Sequence, residues 1–260
     1  ETMDTLMALR HAREQGSKVL AICNTQGASI PRESDAVLYT HAGPEVAVAS
    51  TKAFVAQITA AYLLGLYLAQ VKGAMFRDEI HQVLDSLKDM PRKIQWVLDT
   101  QPKTIQAAAE RMVNANSFLF LGRHVGYPVA LEGALKLKEI AYTFTEGFAA
   151  GELKHGTISL IEDGTLVIAL GTYAPLFDKA MSNVVEVKAR GADVLALATE
   201  SHRGEMVKTV ENVITIPDTA QMLLPSLGVV PLQLLAYYIA LQRGCDIDKP
   251  RNLAKSVTVE

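Results

Sequence analysis

Ser117-Phe118-Leu119-Phe120-Leu121-Gly122-Arg123-His124-Val125-Gly126, running straight into the apolar stretch 127–143, is the segment from which the architecture can be read. Its first half is a short apolar run, the composition of a strand buried on both faces. A glycine-bounded turn follows, and then apolar residues recur at helical spacing. Further along, 166–170 predicts a strand, 176–190 a helix, 193–198 a strand, 213–216 a short strand and 231–242 a final core helix. Strands alternating with helices predict a mostly parallel sheet covered on both faces.

A second unit lies upstream. Residues 1–15 place Leu6 and Leu9 at helical spacing, and Gly16 acts as a stop. Residues 18–24 look like a buried parallel strand, 27–34 a loop and 36–40 a second strand; after His41-Ala42-Gly43-Pro44-Glu45 a long helix is predicted over 50–71. A sheet that opens on a helix lacks its first strand, so the chain is expected to start partway through this domain. Residues 72–116 are more charged and lack a convincing strand; 78–98 reads as linker helices, with Pro91 and Pro102 marking starts or breaks. The two units run in similar order, which is read as an internal duplication.

Composition narrows the function classes. In 260 residues, 49% hydrophobic content supplies a large core and argues against disorder. Lys and Arg number 25 against 28 Asp and Glu, for a net charge of −3, and no basic run carries interleaved aromatics, so nucleic acid is not an expected partner. Phosphates can still bind such a protein through helix N-termini and hydroxyls. Cys23 and Cys245, far apart and within or beside apolar runs, are expected to be reduced core thiols of a cytosolic protein. The first residues carry no signal region. The apolar stretch 58–71 is shorter than the roughly 20 residues of a bilayer span, and is expected to be a buried helix of a soluble protein, with no membrane partner.

Four segments could carry chemistry. Around the helix 130–140, Glu132, Lys136 and Glu139 fall on one narrow stripe of an otherwise largely apolar circumference. They form either a solvated face laced with ion pairs or the lining of an internal site, where a carboxylate beside a lysine serves as a base. In Gly147-Phe148-Ala149-Ala150-Gly151-Glu152-Leu153-Lys154-His155-Gly156, small residues allow close backbone approach to a ligand; His155 is open to a structural or a catalytic role. Ala47-Val48-Ala49-Ser50-Thr51-Lys52 enters a helix, with Ser50 as its N-cap or its hydroxyls on a ligand. The terminus 250–260 alternates apolar residues, unlike a frayed tail, and is expected to dock against the body.

Taken together, Val48-Ala49-Ser50-Thr51-Lys52, the helix Leu131 to Glu139, Ala150-Gly151-Glu152-Leu153-Lys154-His155-Gly156 and the closing Asp248-Lys249-Pro250-Arg251-Asn252-Leu253-Ala254-Lys255-Ser256-Val257-Thr258-Val259-Glu260 closely resemble the glutamine–fructose-6-phosphate transaminase (isomerising) family. The resemblance implies an α/β fold of two SIS-type sandwiches. The plan would be the C-terminal part of a first SIS domain (1–72), a helical linker (73–108), a second SIS domain (109–250) and a catalytic tail (251–260). It implies a ketose–aldose isomerase that converts fructose 6-phosphate and ammonia to glucosamine 6-phosphate, without metal or organic cofactor, as a cytoplasmic homodimer.

By the same resemblance, Glu139 matches the base that moves a proton between C1 and C2, and Lys136 the lysine assisting it. His155 matches a ring-opening histidine contributed across the dimer interface. Lys255 matches the lysine that forms a Schiff base with the open-chain ketose. Thr2 matches a phosphate-binding hydroxyl, and Val48, Ser50 and Ala254 match positions contacting the sugar. The family's glutaminase domain and the Ser/Gln/Ser-Gly loop ahead of Glu1-Thr2 have no counterpart in this sequence, and Thr157 stands where the family has Pro. A non-catalytic phosphosugar-sensing module and a bare dimerisation body are the competing readings.

Overall fold

The computed structural model describes residues 2–255. The chain forms two compact units, one of residues 1–81 with 248–260 and one of 82–247. The expectation for residues 256–260 of the tail lies outside the described residues.

In the first unit, α1 (Met3–Glu14) precedes β1 (Leu20–Cys23), α2 (Ser29–Glu33), β2 (Ala36–Tyr39) and α3 (Lys52–Val71). The two strands pair in parallel, Leu20 opposite Ala36 through Cys23 opposite Tyr39. Leu6 and Leu9 are the buried residues of α1, as their spacing predicts. The expected loop at 27–34 instead contains α2. A five-residue helix is too short to stand on propensity, and contacts from α1 hold it: Arg10 forks onto the Glu33 carboxylate at 2.9 and 2.7 Å, and Arg13 donates to the Glu33 carbonyl. A second correction concerns the apolar stretch 58–71. It belongs to a helix of 20 residues, long and apolar enough to cross a membrane by length and composition alone. Within the unit only Ala60 and Leu66 of this helix are buried, and Tyr67 and Val71 are exposed. Cys23 and Cys245 are both free thiols, half-buried instead of in the core.

The second unit takes in the end of α4 (Arg77–Lys88), then α5 (Met90–Thr100) and α6 (Pro102–Met112). Pro91 and Pro102 sit in the first turns of α5 and α6, where a missing N–H costs nothing. There follow β3 (Ser117–Gly122), α7 (Gly126–Ala141), β4 (Phe144–Ala149), β5 (Leu166–Gly171), α8 (Phe177–Lys188), β6 (Asp193–Thr199), α9 (Glu200–Met206), β7 (Asn212–Ile216) and α10 (Leu224–Gln242). The strands make one sheet in the order β4-β3-β5-β6-β7, with every pairing parallel. Val167, Ala169, Val194, Ala196 and Ala198 pack with Phe177, Val184 and Met206 of α8 and α9 on one face. On the other, α7 and α10 lie together across the sheet and α10 continues against α5 and α6. Parallel strands buried on both sides read as continuous apolar runs, which is why β3, β5 and β6 were legible.

Three elements escaped that logic. β4 alternates in the inverted sense: Phe144 is exposed, while Thr145 and Gly147 face inward. Gly147 is small because a Cβ there would stand 3.0 Å from the Leu131 backbone. α9 is short and polar, with only Met206 buried. α10 begins seven residues before the predicted start and carries Pro231 in its interior. The ring removes one helical hydrogen bond, and the burial of Leu224, Leu227, Val229 and Val230 on the extra turns outweighs that loss.

One side chain closes the far end of this layer. The Arg243 guanidinium, capping α10, donates to the Val113 carbonyl at 2.6 Å and the Ala115 carbonyl at 2.5 Å beyond α6, and to the Ala141 carbonyl at 2.8 Å and the Thr143 hydroxyl at 2.6 Å at the end of α7. Two helix C-termini, those of α6 and α7, thus share one cation carried at the end of α10. Replacing Arg243 with Ala should lower stability by about 2–4 kcal/mol in urea unfolding, and Lys should recover only part of it because a single ammonium cannot serve all these acceptors.

Candidate functional site

The predicted site residues fall in both units. In the second unit the site is built on α7. The turn entering this helix is so tight that a Cβ on Gly122 would lie 2.1 Å from the Gly126 carbonyl oxygen. Gly133 faces α10, where a Cβ would meet Leu232 at 2.6 Å and Phe120 at 3.1 Å. The Thr145 hydroxyl donates to the Ala134 carbonyl at 2.6 Å, fastening the middle of the helix to β4.

On the helix so held, the stripe of charges is an internal one and not a solvated face. The Lys136 side chain is 4% exposed. Its ammonium lies 2.6 Å from the Glu139 carboxylate and 3.5 Å from that of Glu132. A buried lysine requires a partner to stay charged, and here it has two, one turn away in each direction. Burial pushes the Glu132 carboxyl above the usual carboxylate range; the Lys136 charge opposes that rise and the Glu139 charge adds to it. A carboxylate, a second carboxyl inclined to hold a proton and a lysine between them can take up and return a proton.

His155 does not join this cluster through any of its own contacts. It ends the 3₁₀ turn Ala150–His155, with the following Gly156 at φ +149°, and its Nδ1 lies 2.6 Å from Glu152. Both side chains of that pair are largely exposed, at 73% and 70%. Thr157 opens the next 3₁₀ turn, Thr157–Leu160.

In the first unit, Thr2, Val48, Ser50 and Lys255 line one cleft of about 540 Å³, together with Asn24 and Glu45. Ala254 is exposed next to Lys255 and is not part of the lining. Asn24 sets the loop that forms one wall: its side-chain oxygen accepts from the Thr40 hydroxyl and the Ala42 amide, both at 2.9 Å, and its amide donates to the Gly43 carbonyl at 2.8 Å. The Val48 amide donates to the Asp248 carbonyl at 2.9 Å, and the Lys255 ammonium donates to the Ala47 carbonyl at 2.7 Å and to the Glu45 carboxylate at 2.9 Å. The segment 248–255 is therefore tied to the loop at Asp248 and at Lys255 through polar contacts, while residues 251–254 between them are exposed.

Ser50 is not the N-cap of α3. Thr51 occupies that position without a side-chain cap of its own, and the carboxylate of Glu45 reaches in instead, accepting from the Thr51 amide at 2.9 Å and the Ala53 amide at 3.3 Å. Sequence reasoning passed over Glu45 and Asn24, because a lone acid after Gly43-Pro44 and an asparagine ending a strand both read as ordinary loop residues. Burial alone would raise the Glu45 carboxyl, but the Thr51 amide, the Lys255 ammonium and the Ala53 amide outweigh it and hold it below its usual range. A depressed carboxylate stabilises fully above its unfolded pKa and loses that contribution as pH falls through the folded one. Amide NMR shifts of Thr51 and Ala53 should therefore titrate with a midpoint below the ordinary glutamate value of about 4.3. A transition at or above that value would contradict the ion pair and cap.

The SIS domain family model matches residues 1–67 and 111–243. Glutamine–fructose-6-phosphate aminotransferase [isomerizing] of Corynebacterium efficiens is 58% identical over 265 residues, covering 100% of this chain and 42% of that protein. The protein of the same name from Corynebacterium diphtheriae is 59% identical over 266 residues with the same coverage. The chain thus spans less than half the length of these relatives. Among solved structures, the C-terminal domain of glucosamine-fructose-6-phosphate aminotransferase from Francisella tularensis superposes with a TM-score of 0.92 at 35% identity, over 96% of this chain and 71% of that one. A glucosamine-6-phosphate deaminase from Thermotoga maritima shares the fold, with a TM-score of 0.74 at 23% identity.

Proposed function

The chain belongs to the SIS domain family, and from that membership we propose that it is the ketose–aldose isomerase part of a glutamine–fructose-6-phosphate aminotransferase, making glucosamine 6-phosphate from fructose 6-phosphate and ammonia in the cytoplasm. The observation that carries the reading is the Lys255 amine, brought by the terminal segment into a cleft shared with Thr2, Val48 and Ser50. The domain plan that accompanies it is a first SIS unit over 1–72, a helical linker over 73–108, a second SIS unit over 109–250 and a tail over 251–260.

In the proposed reaction, Thr2 offers its hydroxyl to the sugar phosphate, and Val48, Ser50 and the backbone at Ala254 contact the sugar. A phosphate anchored away from the reacting carbons converts binding energy into orientation. Lys255, once it has given up a proton, adds to C2 of the open-chain ketose; water leaves and an imine forms. Ammonia adds at C2 and releases the lysine. Glu139 then removes a proton from C1 and the resulting enolamine is reprotonated at C2, giving the aldehyde at C1 and the amine at C2. Lys136, 2.6 Å from Glu139, holds that carboxylate in place. His155 is assigned ring opening in a second copy of the chain, and its 73% exposure suits a residue presented outward.

Borohydride reduction in the presence of fructose 6-phosphate should leave an adduct on Lys255, mapped by mass spectrometry and absent in Lys255→Ala. An adduct elsewhere would overturn the assignment. Glu139→Gln should retain the adduct yet lower isomerisation by about 10²–10⁴-fold, since it removes the base and not the imine-forming amine. Unchanged turnover would remove Glu139 from the mechanism.

A further inference from the structure

We infer that Glu45 is a positioning residue for this reaction: one carboxylate closes the N-terminus of α3 and at the same time holds the Lys255 amine over the cleft. The inference rests on the imine-forming role proposed for Lys255. Its support is geometric. The Glu45 side chain is 8% exposed and its two oxygens are divided between two tasks. Oε1 accepts from the backbone amides of Thr51 and Ala53 and lies 3.5 Å from the Thr51 hydroxyl, while Oε2 accepts from the Lys255 ammonium at 2.9 Å.

No side chain of α3 caps its own N-terminus, so the positive end of a 20-residue helix faces Glu45 directly. That fixes the carboxylate, since moving it would strip two amides of their acceptor. The fixed carboxylate in turn fixes Lys255, whose side chain is otherwise a long tether 44% exposed to solvent. The Ala47 carbonyl at 2.7 Å and the Val48 carbonyl at 3.5 Å take the remaining ammonium hydrogens. A flexible lysine carries about 2 kcal/mol of rotamer entropy. Here that freedom is lost before substrate arrives, so the amine starts near its attacking position. Ser50 and Val48 lie on the same loop, between Glu45 and the helix it caps, so wall and amine keep one register.

Glu45→Gln separates the two tasks. Its side-chain oxygen can still accept from the Thr51 and Ala53 amides, but the ionic hold on Lys255 is gone. In the protein, the rate of the borohydride-trapped adduct at Lys255 and kcat should fall together by about 10–100-fold, while KM for fructose 6-phosphate moves less than about threefold and the circular-dichroism melt stays near that of the parent. Glu45→Asp keeps the charge one methylene further back and should recover part of the lost kcat. It also serves as the second variant if Glu45→Gln loses helix content. Parent-like adduct rate and kcat in a folded Glu45→Gln would overturn the inference and leave the role of Lys255 standing, as would a rise in KM at unchanged kcat. If the parent protein itself forms no adduct at Lys255, the proposed role of Lys255 falls and this inference falls with it.

Discussion

The second unit depends on a charge balance at helix ends. α6 and α7 each finish with carbonyls beyond their helical ladders, and both finishes converge on Arg243 at the end of α10. Only a planar guanidinium offers donors in enough directions to serve them together. With that end closed, α7 cannot slide along α10 or rotate about its own axis. Its middle is pinned by Thr145 and its packing against Phe120 and Leu232 leaves no room for a Cβ at Gly133. The side chains that project from α7 inherit this rigidity.

That matters because Lys136 is in a costly place. A lysine whose side chain is only 4% exposed is tolerable only if its charge is met, and Glu132 and Glu139 meet it from neighbouring turns of the same helix. The local spacing ensures the pairing whatever the rest of the fold does, while the rigidity of α7 decides where the pair points. The surplus negative charge is what makes the cluster chemically useful: Glu132, deprived of water, is the group inclined to hold a proton. The first unit solves a similar problem differently. There the positive partner of Glu45 is partly a helix terminus and partly an amine from the far end of the chain.

Much of this was legible from residue order. β3, β5, β6 and β7 announced themselves as apolar runs because both faces of a parallel sheet are buried. The stripe of Glu132, Lys136 and Glu139 followed from 3.6-residue geometry. The misses share a cause: in each, a tertiary contact overrode the local signal. α2 forms because Arg10 and Arg13 grip Glu33; β4 shows its small residues inward because α7 sits against them; α10 runs through Pro231 because burial outweighs one lost hydrogen bond. The expectation that Ser50 caps α3 failed for the same reason, since a carboxylate six residues before Thr51 had better access to the open amides.

The sequence by itself determined the alternation of strands and helices, the spacing that binds Lys136 between its two acids, and the four segments that mark the family. Those are local properties, set by side-chain size and backbone period over a turn or two. Only the tertiary structure decided that the Lys136 stripe is internal, that Glu45 and not Ser50 closes α3, and that Lys255 shares a cleft with residues some two hundred positions earlier in the chain. Such pairings depend on which distant groups lose water together, and burial is a property of the packed chain that no short window of residues contains.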